Sequence, residues 1–232
     1  MEQAISKDYS ESEQLYRSLD LVYYTPAEEV ANSLSHLAGA VLGLIALGVL
    51  TFLANGVFEI LAGVIFGLGL AIPFLNSAIY HGLRNLKLKS IWRKIDHAGI
   101  GFIVFSCVAP MCLLGQPAVC DYIILSAAFC ICIINLILCY TSLKKFSRVA
   151  LLFDFVIAAL GLASYILNRH IICDLSSLFY LLGALLNILG AVFYGIKRKF
   201  AHLVFHIFTL LGAIALFFAT YYLMNPSAAV IF

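Results

Sequence analysis

HLVFHIFTLLGAIALFFATYYLM, residues 202–224, contains no Asp, Glu, Lys or Arg. A helix of this length spans about 35 Å, enough to cross the roughly 30 Å hydrocarbon core of a bilayer. Its first two turns carry His202 and His206, whose i, i+4 spacing puts both imidazoles on one helix face, one turn apart. Two rings so placed can bind one metal ion. The stretch therefore poses two questions: how many such segments the chain holds, and what the others bring to the histidine pair.

Composition answers the first. Of 232 residues, 63% are hydrophobic and 11% charged, and the mean hydropathy is +1.04, far from a soluble domain with about 25% charged residues. Seven apolar stretches are long enough to span: 32–53, 57–81, 95–114, 118–141, 149–168, 174–196 and 202–224. The expected fold is an all-α membrane protein, one seven-transmembrane helix bundle over residues 28–232. It is preceded by a polar tail, 1–27, that ends in a short interfacial helix and lacks the basic start and early apolar core of a signal peptide.

Lys and Arg set the expected orientation. Lys7, Arg17, Arg84, Lys87, Lys89, Arg93, Lys94, Lys144, Lys145, Arg148, Lys197, Arg198 and Lys199 fall on one side, and Arg169 falls opposite. By the positive-inside rule the N-terminus is cytoplasmic and the C-terminus outside, in the plasma (inner) membrane. The net charge of +2 comes from these anchoring loops, so no nucleic-acid partner is expected. Membrane lipids are the expected partners, and the oligomeric state is left open.

That orientation brings the chemistry to one depth. The second span ends inward at His81, with Ser77 one turn before it, and the third begins there with Asp96. The seventh begins with His202 and His206, and the first with Glu29, Asn32, Ser35 and His36. Four helices thus carry metal-type ligands to one level, where unpaired imidazoles would be costly. The bland reading of the His202/His206 pair alone is two interfacial rings bonded to carbonyls or headgroups; His81 and Asp96 at matching depth favour a metal.

Four motifs, Glu28 to His36, Ser77 to His81, Ile95-Asp96-His97 and His202 to His206, resemble in this order those of the hemolysin III family. That family is grouped with the progestin and adiponectin receptors and, more distantly, the alkaline ceramidases. The resemblance implies a zinc ion near the cytoplasmic face, held by His81, His202 and His206, with Asp96 reaching it through water. The chain departs from the family at 105–110, where only Pro110 and small residues of the usual run persist, and at Leu203, where an acid is usual.

Three imidazoles leave a fourth coordination position open, as in catalytic zinc sites. Asp96 would orient the attacking water and take its proton, Ser77 would bond a substrate carbonyl or that water, and His36, Asn32 and Glu29 would either support the metal shell or pin the start of the first span near the interface by hydrogen bonding. The function this describes is zinc-dependent hydrolysis of a lipid amide or ester near the cytoplasmic face. One alternative is a structural zinc in a seven-helix receptor or scaffold. Another is a hemolysin-type lytic or pore protein, disfavoured because polar residues concentrate at one end of the spans.

Remaining residues have plainer readings. Asp154, inside the fifth span, pairs with Arg148 or a neighbouring helix; His97, turned roughly 100° from Asp96, stays off the metal; His170 is a solvated loop residue. Five of the seven cysteines lie inside spans as small apolar groups, and Cys120 and Cys173 lie near the outer ends. Gly39, Gly43, Gly63, Gly67, Gly183 and Gly190 allow close helix packing, and Pro73 and Pro110 open space beside the site.

Overall fold

The computed structural model describes residues 11–115 and 118–231, and its regular structure is helical throughout. The elements are α1 Glu11–Ser18, α2 Pro26–Phe52, α3 Val57–Gly82, α4 Leu86–Leu114, α5 Val119–Asn168, α6 Asp174–Tyr194, α7 Ala201–Met224 and a closing 3-10 turn, Pro226–Ile231. The short helix expected in the tail is α1; Lys7 lies outside the described residues. Six helices, α2 to α7, are long and apolar enough to cross a membrane, and the chain is a multi-pass integral membrane protein.

The seventh span is inside α5. Fifty residues of straight helix would measure about 75 Å, more than twice the hydrocarbon core. At Ser142 the backbone leaves the helical region (φ −160°, ψ 92°) and divides α5 into two arms. The arms fold back antiparallel: near the break, Asn135 Nδ2 donates to Asp154 Oδ1 (2.8 Å) and Ala150 O (3.4 Å). At the open end, Ser164 Oγ and Asn168 Nδ2 donate to Asp121 Oδ1 (2.6 and 3.0 Å). The loop expected over 142–148 is thus corrected to one extended residue.

Two helices start earlier than the apolar runs suggest. In α2, Thr25 Oγ1 accepts from Glu28 N (3.4 Å) while Glu28 Oε2 accepts from Thr25 N (3.0 Å), and Pro26 stands in the first turn. This reciprocal cap moves the start from 32 to 26 and takes Glu28 and Glu29 into the helix. In α4, Asn85 Oδ1 accepts from Lys87 N and Leu88 N (both 3.1 Å), so the basic stretch expected to be loop forms the first two turns.

Burial along α2 is the reverse of a soluble helix. Asn32, His36, Gly39, Gly43, Ala46 and Leu50 face inward, while Val30, Leu34, Leu37, Val41, Leu44 and Ile45 are exposed. Small and polar residues inside with large aliphatics outside suit a helix whose surroundings are acyl chains. The glycines bear out the expected close packing: a β-carbon on Gly43 would lie 2.4 Å from Ala71 N, and one on Gly67 2.5 Å from Leu47 Cα. Around these contacts a core of Leu50, Phe66, Leu70, Phe74, Met111, Tyr165, Tyr180 and Leu216 joins α2 to α7.

Buried polar residues are not confined to the histidine end, contrary to expectation. The Asn135–Asp154 and Asp121–Ser164–Asn168 groups lie along the α5 hairpin, where mutual hydrogen bonds compensate their burial. Asp154 therefore pairs with Asn135 across the arms, and Arg148 is exposed. All seven cysteines are free thiols, and His170 is exposed.

Candidate metal centre

The last turn of α3 and the first two turns of α7 bring His81, His202 and His206 together, with one ring nitrogen from each lying within 4.8 Å of the others. His202 Nε2 and His206 Nε2 are 3.0 Å apart. Two imidazoles on one tetrahedral zinc have nitrogens roughly 3.3 Å apart, so the α7 pair is already near that spacing. His81 and His206 are almost fully buried.

Two of the rings are fixed from behind. Glu29 Oε2 lies 2.8 Å from His81 Nδ1, a hydrogen-bond distance at which the ring N–H donates to the carboxylate. Asn32 O lies 3.3 Å from His206 Nδ1 and Ser35 Oγ lies 3.1 Å from it. A backbone carbonyl can only accept, so His206 carries its proton on Nδ1. In both rings the proton then sits on the outer nitrogen and Nε2 presents a lone pair to the centre. His81 Nε2 is buried with no hydrogen-bond partner, an arrangement that costs free energy unless an electron-pair acceptor occupies the centre. The donor set fits a zinc ion or another divalent transition metal.

The other expected residues are distributed around this triad. The Asp96 carboxylate lies beside Ser77 and His97 and within electrostatic reach of His81; it is outside the group whose atoms converge directly. Ser77 is buried. His97 is turned aside, its Nδ1 bonded to Arg93 O (3.0 Å) and its Nε2 to the Tyr194 hydroxyl (3.2 Å). His36 stacks on His206 with ring centroids 3.5 Å apart, and both its nitrogens are buried without a partner. Asn32 supports His206 through its backbone carbonyl, while its side-chain amide is likewise unpartnered.

Sequence reasoning missed two participants. Lys89 reads as one of five basic anchors after the second span, yet it is 1% exposed and its Nζ lies 2.9 Å from Glu29 Oε1. Tyr24 lies in the polar segment before α2, stacks on His202 (5.1 Å) and meets His81 edge-on (5.6 Å). Burial, reinforced by Tyr194, Glu29 and Asp96, pushes the Tyr24 phenol well above its ordinary value and keeps it neutral. The segment bearing it is tied down by the Arg93–Asp20 ion pair (2.9 Å). Beside it, Glu28 Oε1 accepts from Phe200 N (2.8 Å), joining the start of α2 to the start of α7. The chain-level signal for Lys89 was the Asn85 cap, which begins α4 one turn before it; for Tyr24 the sequence offers none.

Residues 24–217 match a family model described as Haemolysin-III related. A hemolysin-3 homolog of Bacillus subtilis (strain 168) is 28% identical over 203 residues, covering 84% of this chain and 93% of the relative. The hemolysin-3 of Bacillus cereus is 22% identical over 206 residues, covering 87% and 94%. The matched region takes in α2, α3, α4, α5 and α6, the histidine pair of α7 and the Tyr24 segment, so this multi-pass membrane chain belongs to the haemolysin-III-related family.

Proposed function

We propose that the chain is a zinc-dependent hydrolase of a lipid amide or ester, working at the cytoplasmic end of the bundle. The observation that supports this most is that His81 and His206 are each bonded at Nδ1 while one nitrogen of each ring and of His202 lies within 4.8 Å of the others. Three imidazoles would hold the ion, and a zinc so held supplies Lewis acidity with room for water and substrate.

The chain's own residues supply the rest. Asp96, beside Ser77, orients water and accepts its proton; Ser77 donates a hydrogen bond to the substrate carbonyl. Tyr24 shields the rings on the side of the N-terminal segment. A cleft of about 320 Å³ between α3, α4 and the first arm of α5 favours a lipid substrate. Its walls are mainly apolar; Asn76 and Ile95, the chain neighbours of Ser77 and Asp96, line it, while Ser77, Asp96 and the three histidines do not. This volume is at the low end for ligand sites. The distribution of basic residues supports a cytoplasmic position for this end.

The test is fatty-acid release from a ceramide and from a diacyl phospholipid by zinc-loaded protein in detergent, read by mass spectrometry. The wild type should release acid from one of them, His202→Ala should abolish release, and Asp96→Asn should lower it at least 100-fold. No release from either lipid by folded, zinc-loaded wild type contradicts the hydrolase. A second reading is supported by the four helices that meet at the triad, α2 through Glu29, α3, α4 through Lys89, and α7: zinc as a structural cross-link in a scaffold. It predicts that chelation lowers the melting temperature with no turnover at any stage. The lytic reading carried by the relatives' names predicts dye leakage from liposomes, which neither of the others does.

A further inference from the structure

Lys89 is a charged side chain buried to 1% exposure, and an ammonium taken out of water persists only when closely paired. Its partners all lead to His81. Nζ donates to Tyr80 O (2.9 Å), His81 O (3.3 Å) and Leu83 O (3.4 Å), carbonyls at the end of α3. Such groups are left without partners when a helix stops, and a cation is favoured beside them. Nζ also lies 2.9 Å from Glu29 Oε1, while the other carboxylate oxygen of Glu29 lies 2.8 Å from His81 Nδ1. One ammonium therefore grips His81 twice, at its main-chain carbonyl and, through Glu29, at its ring. Because Asn85 starts α4 one turn earlier, Lys89 projects back onto α3.

We infer that Lys89 is a positioning residue of the metal centre: it acts through the Glu29 carboxylate to hold the His81 ring with Nδ1 protonated and Nε2 directed at the ion. The inference rests on the metal reading and gives the first turns of α4 a role in it beyond membrane anchoring. Glu29, with its side chain 14% exposed, stands between the two, one carboxylate oxygen at the ammonium and the other at Nδ1. Without Lys89 the carboxylate is uncompensated and the ring is free to turn or change tautomer. Loss of such outer hydrogen-bond partners weakens metal binding about 10- to 100-fold.

The experiment is a double-mutant cycle on zinc affinity, measured by competition with a chromophoric chelator on the full chain in detergent. Helicity by circular dichroism runs alongside. Lys89→Met and Glu29→Gln should each weaken zinc binding about 10- to 100-fold with helicity kept, and the double variant should be no weaker than the worse single one. Lys87→Met, which removes the same charge from an exposed position, should bind as wild type. If Lys89 only caps α3, the two losses multiply, and that result overturns the inference, as does an unchanged affinity in Lys89→Met. Should Lys89→Met fail to fold, Lys89→Gln keeps an N–H donor for the carbonyls and carries the same comparison. Wild-type protein that takes up no zinc overturns the metal reading itself, a result distinct from either of these.

Discussion

His81 and His206 are each tied at Nδ1, one to a carboxylate and the other to a carbonyl and a hydroxyl, and each is thereby left with Nε2 as its remaining ring nitrogen. The tie to Ser35 is open to test at small steric cost. Ser35→Ala removes one hydrogen bond to His206 while leaving Asn32 O, so zinc affinity should fall by about tenfold, the low end for such partners; chelator competition measures it. The ligands themselves were legible because i, i+4 histidines share a helix face whatever the tertiary structure. Their supports were less so. Glu29 lies in the acidic start of α2 and can be guessed, but Lys89 is embedded in a basic run whose simplest reading is anchoring at the membrane surface. Its burial follows from where α4 begins, a fact of capping that hydropathy does not register. His36 differs in another way: its depth was legible, yet it stacks flat on His206 and leaves both nitrogens unbonded.

Among the elements, α2 and α3 meet through glycines and small residues, and the pair tolerates bulk only on its lipid side. At Gly67 a β-carbon would meet the Leu47 backbone at 2.5 Å, whereas at Gly48 nothing lies within 4 Å. Gly67→Leu should therefore destabilise the bundle by about 3 kcal/mol or more through overpacking. Gly48→Ala should be neutral or stabilise it by up to about 1 kcal/mol through helix propensity. Thermal melts in detergent, with the two variants side by side, test this. The seven apolar stretches were legible in the sequence, since each is long enough to cross the hydrocarbon core. Their ends were not, because the first turns of α2 and α4 are polar and are fixed by Thr25 and Asn85. The hairpin in α5 shows the same limit: the two spans were visible as apolar runs, but hydropathy could not reveal that a single extended residue, Ser142, would serve as the connection.

For the whole molecule, seven spans would put the termini on opposite sides of the membrane, and the positive-inside rule predicts that the histidine end faces the cytoplasm. An epitope tag at the C-terminus of the protein in intact cells should be reachable by external antibody, and one at the N-terminus should become reachable only after permeabilisation. The reverse pattern would move the centre to the outer face and remove the cytoplasmic placement. The family match reaches from Tyr24 into α7, covering the segment that shields the rings as well as the ligands. The bundle thus gathers α2, α3, α4 and α7 at one end around three imidazoles. Away from them, Asn135 bonds Asp154 and Asp121 bonds Ser164 across the α5 hairpin. Whether those imidazoles hold an ion decides what this end of the bundle does. Metal content by mass spectrometry on detergent-purified wild type, beside His81→Ala and His202→Ala, is the most direct test. About one zinc per chain in the wild type, lost in both variants with helicity retained, is the predicted result. Well-folded wild type that carries no metal, even after incubation with zinc, would contradict it.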